Sequence, residues 1–166
     1  MPTDAELATL EVSIANDLAV VPPAGSVAFT EAVQERIDQL AKQLANGLEV
    51  GTLVRVPQEL RHFFLPGMYV REITLRRGSI TVSKIHATEH PFVVSKGAVR
   101  VFTEGIGWET IRAPYLGVTK PMTRRVLLVF EDLVWTTFHA TNAKTVEDVE
   151  AEIIVDRKEL PCHSQQ

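Results

Sequence analysis

A chain of 166 residues, 45% hydrophobic and 23% charged, is long enough to bury a core without disulfides and too apolar for a disordered tail. Its formal net charge of -4 at pH 7 provides no basic excess to neutralise phosphates, so no nucleic-acid partner is expected. The single cysteine, Cys162, leaves no intramolecular disulfide and fits a reducing compartment. Asp4, Glu6 and Glu11 stand where a secretory leader would carry Lys or Arg, and no apolar run approaches the ~18 residues of a membrane span, so neither export nor a membrane partner is expected.

In chain order, Thr3 and Glu6 form a capping-box pair, and Leu7, Leu10, Ile14 and Leu18 follow at helical spacing, predicting a first helix to about Val20. Pro22, Pro23 and Gly25 end it. A second helix is predicted from Thr30, with Val33, Ile37, Leu40 and Leu44 on one stripe and Gly47 as its C-cap. Such stripes need a cover, from the chain's own β-structure or from a partner subunit, and this favours a role in oligomerisation.

From Val50 the texture changes to short β-rich runs separated by Gly, Pro and polar breaks. The predicted strands are Thr52–Val56, Met68–Leu75, Ile80–His86, Phe92–Val94, Ala98–Thr103, Trp108–Ile111, Arg124–Val129 and Leu133–His139. Many short strands at this spacing point to a sandwich or barrel rather than to alternating βαβ units. A last helix is predicted after Thr145, capped with the help of Asp148 and striped by Val146, Val149 and Ile153. The expected organisation is a helical extension over 1–49, a β-barrel with its C-terminal helix over 50–157, and a tail over 158–166.

The chemistry concentrates between Gly78 and Gly97. Val82, Lys84 and His86 share one face of an extended strand. His90 follows just before Pro91, and a bend at Ala87–Glu89 would return its ring towards His86, letting two imidazoles share one cation. His139, on the same face as Trp135 and Thr137, is the candidate third donor. Arg71 and Glu72 fall on opposite faces of their strand, so at most one of them points inwards. Glu131 is a candidate partner for Arg124 or Arg125, and His62, beside Phe63 and Phe64, is expected to be a packed loop histidine. The sequence has no Gly-rich phosphate loop, nucleophile elbow, HExxH or paired CxxC.

The stretch from Gly78 to Gly97 resembles the first motif of the cupin superfamily: a glycine, a His-x-His pair, a glutamate and a closing glycine at fixed separations. The separations match throughout. The identities differ, since Lys84 takes the first histidine position, His86 the second, and His90 that of the glutamate. The second cupin motif is altered around Lys120–Arg125, where Thr123 replaces a glycine and Arg125 lies near the histidine position; an arginine stays protonated and does not ligate metals. More narrowly, the segments Pro66–Glu72, Lys84–His90, Ile111–Pro114, Arg125 and Glu131–His139 resemble a group of small cupin-like proteins of bacteriophages and prophages that has no assigned activity.

The resemblance implies a mainly β, RmlC-like jelly-roll barrel with an internal pocket, and it places the protein in the cytoplasm of a bacterial host or in a virion. One divalent transition metal (Fe, Ni, Mn, Cu or Zn) on His86, His90 and His139 is the expected cofactor, and Lys84, Arg125 and Trp135 are the expected ligand-binding residues. No catalytic residue is assigned. The leading functional expectation is an oligomeric binding or assembly protein with a metal or small-anion pocket, whose partners would be copies of itself, phage structural proteins or a small anion. The alternatives are a metal-dependent oxygenase or isomerase acting on a small carboxylated or phosphorylated compound, and a protein that sequesters a nucleotide or sugar phosphate.

Overall fold

The computed structural model describes residues 27–49, 58–103 and 106–155, together with Thr3, Ala5, Glu6, Thr9, Val12 and Ser13. The predicted strand Thr52–Val56, the 158–166 tail and the stripe of the first helix lie outside the described residues. The capping box at Thr3 is present: the Thr3 amide donates to Glu6 Oε2 at 2.7 Å, and the Glu6 amide donates to Thr3 Oγ1 at 3.3 Å.

The chain is mainly β. Helix α1 (Val27–Glu49) is followed by strands β1 (Glu59–Leu65), β2 (Met68–Leu75), β3 (Ile80–Val82), β4 (Ile85–His86), β5 (His90–Lys96), β6 (Ala98–Thr103), β7 (Gly107–Arg112), β8 (Tyr115–Thr119), β9 (Arg125–Val129) and β10 (Leu133–Ala140). Helix α2 (Val146–Ile153) and strand β11 (Ile154–Val155) complete it. The strands form one sheet in the order β1-β2-β10-β5-β8, a second in the order β3-β9-β6-β7, and a small ribbon of β11 and β4. All of the pairings among the described residues are antiparallel.

Alternation decides which side chains meet between the sheets. Along β10, Leu133, Trp135, Thr137 and His139 are buried and the residues between them are not. Leu133 and Trp135 pack with Leu75, Phe92 and Val94 of their own sheet and with Val99, Val101, Ile111, Leu127 and Val129 of the other, which makes one core between two facing sheets. Strand β9 is buried at every position because both of its faces are covered. Leu127 and Val129 face that core, whereas Val126 packs with Phe102 and with Ile37 of α1. Asp38 of α1 pairs with Arg124.

At Ile37 and Leu40 the stripe of α1 is thus covered by the chain's own sheet. The helix also runs past Gly47, which is buried within it instead of capping it. Three strands escape the sequence reading: β1, β8 and the two-residue β11. Strand β1 is exposed along its whole length and β8 nearly so; both are edge strands, and without a buried face neither shows the alternation that signals a strand. The predicted run Ile80–His86 is two strands. Pairing with β9 ends at Val82↔Val126; the Ser83 amide then donates to the Arg125 carbonyl oxygen at 2.8 Å, and β4 turns to pair with β11. The last helix is as expected, with the Asp148 amide donating to Thr145 Oγ1 at 3.1 Å and Val149 and Ile153 buried against Tyr69.

Candidate functional site

Three elements converge on one buried point. Strand β4 is only two residues long, so its position depends on its neighbours: Ile154 pairs with His86, the Ala87 amide donates to the Ile153 carbonyl oxygen at 2.8 Å, and the Met122 amide donates to the His86 carbonyl oxygen at 2.7 Å. These bonds fix His86 from both sides. The bend at 87–89 then returns the chain so that His90 opens β5 opposite Thr119, with its Nδ1 3.2 Å from the Thr88 carbonyl oxygen. His139 arrives from β10, opposite Tyr69 of β2.

The three imidazoles pack against one another. Ring centroids lie 4.5 Å apart for His86 and His90, 4.3 Å for His90 and His139, and 5.4 Å for His86 and His139. Each ring offers a nitrogen, and these nitrogens all lie within 4.8 Å of one another. All three residues are buried, with exposures of 7% for His86 and 2% for His90 and His139. His86 Nε2 and His139 Nδ1 have no hydrogen-bond partner. A buried polar atom left unpaired costs about 1–3 kcal/mol, so two of them in one cluster call for an explanation.

Burial, and then the neighbouring imidazoles, hold His86 down to about 3, and burial followed by His90 does the same to His139. His90 is lowered too, chiefly by burial. The trio is therefore neutral at neutral pH, the state in which an imidazole nitrogen presents a lone pair to a metal.

His86 and His90 also line a cavity of about 290 Å³, whose walls include Leu75, Leu127 and Trp135. The structure places all three residues expected to contact a ligand on this cavity, in different circumstances. Lys84 is half exposed and donates to Glu150 Oε1 at 2.7 Å, so its charge is already matched. Trp135 is 6% exposed and stacks on Phe92, with centroids 4.3 Å apart and planes 10° off parallel. Arg125 is 9% exposed and donates to Thr119 Oγ1 at 2.7 Å and to Thr103 Oγ1 at 3.3 Å, with its guanidinium carbon 4.9 Å from the Phe92 ring centroid.

Arg71 is a cavity residue to which the sequence reading gives no role. It lines the wall with Ile73 and Leu75, its same-face neighbours on β2, while Glu72 turns outwards to Arg61 at 3.2 Å. The signal was present in the alternation of β2, where Tyr69, Ile73 and Leu75 mark the inner face. Glu131 pairs with Arg112 at 3.1 Å, not with Arg124 or Arg125. His62 is exposed on β1, not packed in a loop, and its Nδ1 lies 2.6 Å from the Tyr69 hydroxyl.

The sequence matches no described protein family and no curated protein. Among solved structures, the chain is similar to an RmlC-like cupin family protein with a double-stranded β-helix fold from Methanocaldococcus jannaschii (11% identity, TM-score 0.45, covering 52% of this chain and 82% of that one). It is also similar to a protein of unknown function from Vibrio parahaemolyticus (17% identity, TM-score 0.44, covering 49% of this chain and 85% of that one). A third similarity is to salicylate 1,2-dioxygenase from Pseudaminobacter salicylatoxidans (14% identity, TM-score 0.49), covering 72% of this chain but only 36% of the dioxygenase. At these values the similarities carry neither an activity nor a ligand to this chain.

Proposed function

We propose that the chain is a cupin-like metal-binding protein in which His86, His90 and His139 hold one divalent transition ion beside a small ligand cavity. The observation that carries this reading is the buried trio itself, with His86 Nε2 and His139 Nδ1 lacking any other partner. Imidazole donors suit Fe, Ni, Cu and Zn more than Mg or Ca. A structural ion closes its shell with four protein ligands, whereas only these three histidines gather among the described residues, and two of them face the cavity. That favours chemistry on a small molecule over a purely structural ion.

When bound, the ion would supply Lewis-acid or redox chemistry at its remaining coordination positions. The chain supplies the rest. Leu75, Leu127 and Trp135 keep the cavity apolar, and Arg71 and Arg125 supply positive charge beside the histidines. An oxygenase or isomerase acting on a small carboxylated compound fits these groups. A second reading, a homo-oligomeric assembly protein of phage origin acting in the host cytoplasm or virion, draws on the exposed Leu60, Phe63, Phe64 and Leu65 of edge strand β1.

Elemental analysis by mass spectrometry of protein purified without an affinity tag tests the first reading. Near-stoichiometric metal is expected in the native chain, with about tenfold loss or more in each of His86→Ala, His90→Ala and His139→Ala. Native protein that stays empty after reloading with Fe, Mn, Ni, Cu and Zn would overturn it.

A further inference from the structure

Arg125 is a buried cation with no ion-pair partner, and Glu109 is the carboxylate whose charge bears on it, from beyond pairing distance. No Asp or Glu oxygen lies within ion-pairing distance of it among the described residues. Two of its N–H groups donate to Thr103 and Thr119, and the others find no acceptor among the described residues. The faces of Phe92 and Trp135, 4.9 Å and 5.9 Å away, hold the guanidinium flat but cannot match its charge. Glu109 relieves only part of the cost of burying this charge, and a ligand's anion in direct contact would relieve more.

The surroundings narrow the ligand. Lys84 and Glu150, both on the cavity, neutralise each other. Arg71 and Arg125 are left as its unmatched charges, so the cavity is net positive. Leu75, Leu127, Ile73 and Trp135 make most of the exposed wall apolar, which suits a ligand with an apolar body, while Gln58, Thr81, Ser83 and Thr123 are the uncharged polar side chains beside them. The planar Arg125 guanidinium beside a mostly apolar space of about 290 Å³ matches a planar carboxylate on an apolar body, with the Arg71 guanidinium adding to the positive charge.

We propose that this cavity binds a small monocarboxylate, its carboxylate against the Arg125 guanidinium and its apolar body against Trp135, Leu75 and Leu127. The ligand's place beside a metal rests on the reading above, but the carboxylate contact rests on Arg125 and not on the histidines. Thr103 and Thr119 act as positioning residues that hold the guanidinium towards the cavity.

Isothermal titration calorimetry on metal-stripped protein separates the two. Benzoate is expected to bind, with the neutral benzamide of the same shape at least about tenfold weaker, and inorganic phosphate likewise weaker. Arg125→Met is expected to remove that preference. Equal binding of benzoate and benzamide, preference for phosphate, or no benzoate binding by folded protein would overturn the proposal. The native comparison of the three probes decides the matter even if Arg125→Met fails to fold. Benzoate binding by a protein that takes up no metal would uphold the carboxylate site and overturn only the metal reading.

Discussion

Gly97, the residue joining β5 to β6, has φ +86°, and a Cβ there would collide with the Asp132 carbonyl oxygen. Gly67 has a similar φ, +74°, but nothing within 4 Å of its Cβ position. The two therefore separate backbone strain from collision. Gly97→Ala should cost about 3 kcal/mol or more in urea unfolding and Gly67→Ala about 1 kcal/mol; equal costs would show that the close approach at Asp132 is not a constraint. At this scale the sequence was informative where spacing and strand phase coincide. Gly78, Gly97, His86 and His90 were legible because fixed separations and period-two alternation apply along a single segment. Arg125 was legible only as an oddity in an altered motif. Asp38 takes Arg124 and Arg112 takes Glu131, pairings that cross the chain and that the local sequence does not announce.

Strand β4 has too few ladder bonds to hold His86 by itself, and the C-terminal elements do it instead. The Ile153 carbonyl accepts from Ala87 and Ile154 pairs with His86, while the Ile153 side chain is 4% exposed against Tyr69 and Val149. Ile153→Ala should cost about 2–4 kcal/mol of stability and also weaken metal uptake, because the anchor of a metal ligand loosens with it. Thermal unfolding combined with metal titration reads both effects, and a destabilised protein with unchanged metal affinity would show that α2 supports the fold without positioning the site. This dependence was hidden in the sequence. The last helix was legible from Thr145, Asp148 and its stripe, but nothing local says that the residue after it pairs with β4, some seventy positions earlier. Strands β1 and β8 were illegible for a different reason, since exposed edges carry no hydrophobic period.

Across the whole molecule, two antiparallel sheets enclose one apolar core, and the three histidines gather from β4, β5 and β10. The same facing of sheets that buries Leu133 and Trp135 brings His139 to His86 and His90, so site and core arise from one alternation pattern. No helix among the described residues is long and apolar enough to cross a membrane. The barrel class was legible because many short strands with Gly and Pro breaks admit few other packings. The closing partners of each sheet were not, because they are long-range pairings. The second helix's stripe suits a cover from the chain's own sheet or from a partner, and at Ile37 the cover is Phe102 and Val126 of its own chain, a contact that depends on which face of β9 points outwards.

The most direct measurement is anomalous X-ray diffraction from crystals grown with Ni or Zn, recorded at that metal's absorption edge. One strong peak about 2.1 Å from a ring nitrogen of each of His86, His90 and His139 is the expected result. A peak elsewhere with none among these rings, or no peak from protein saturated with metal, would contradict the metal centre.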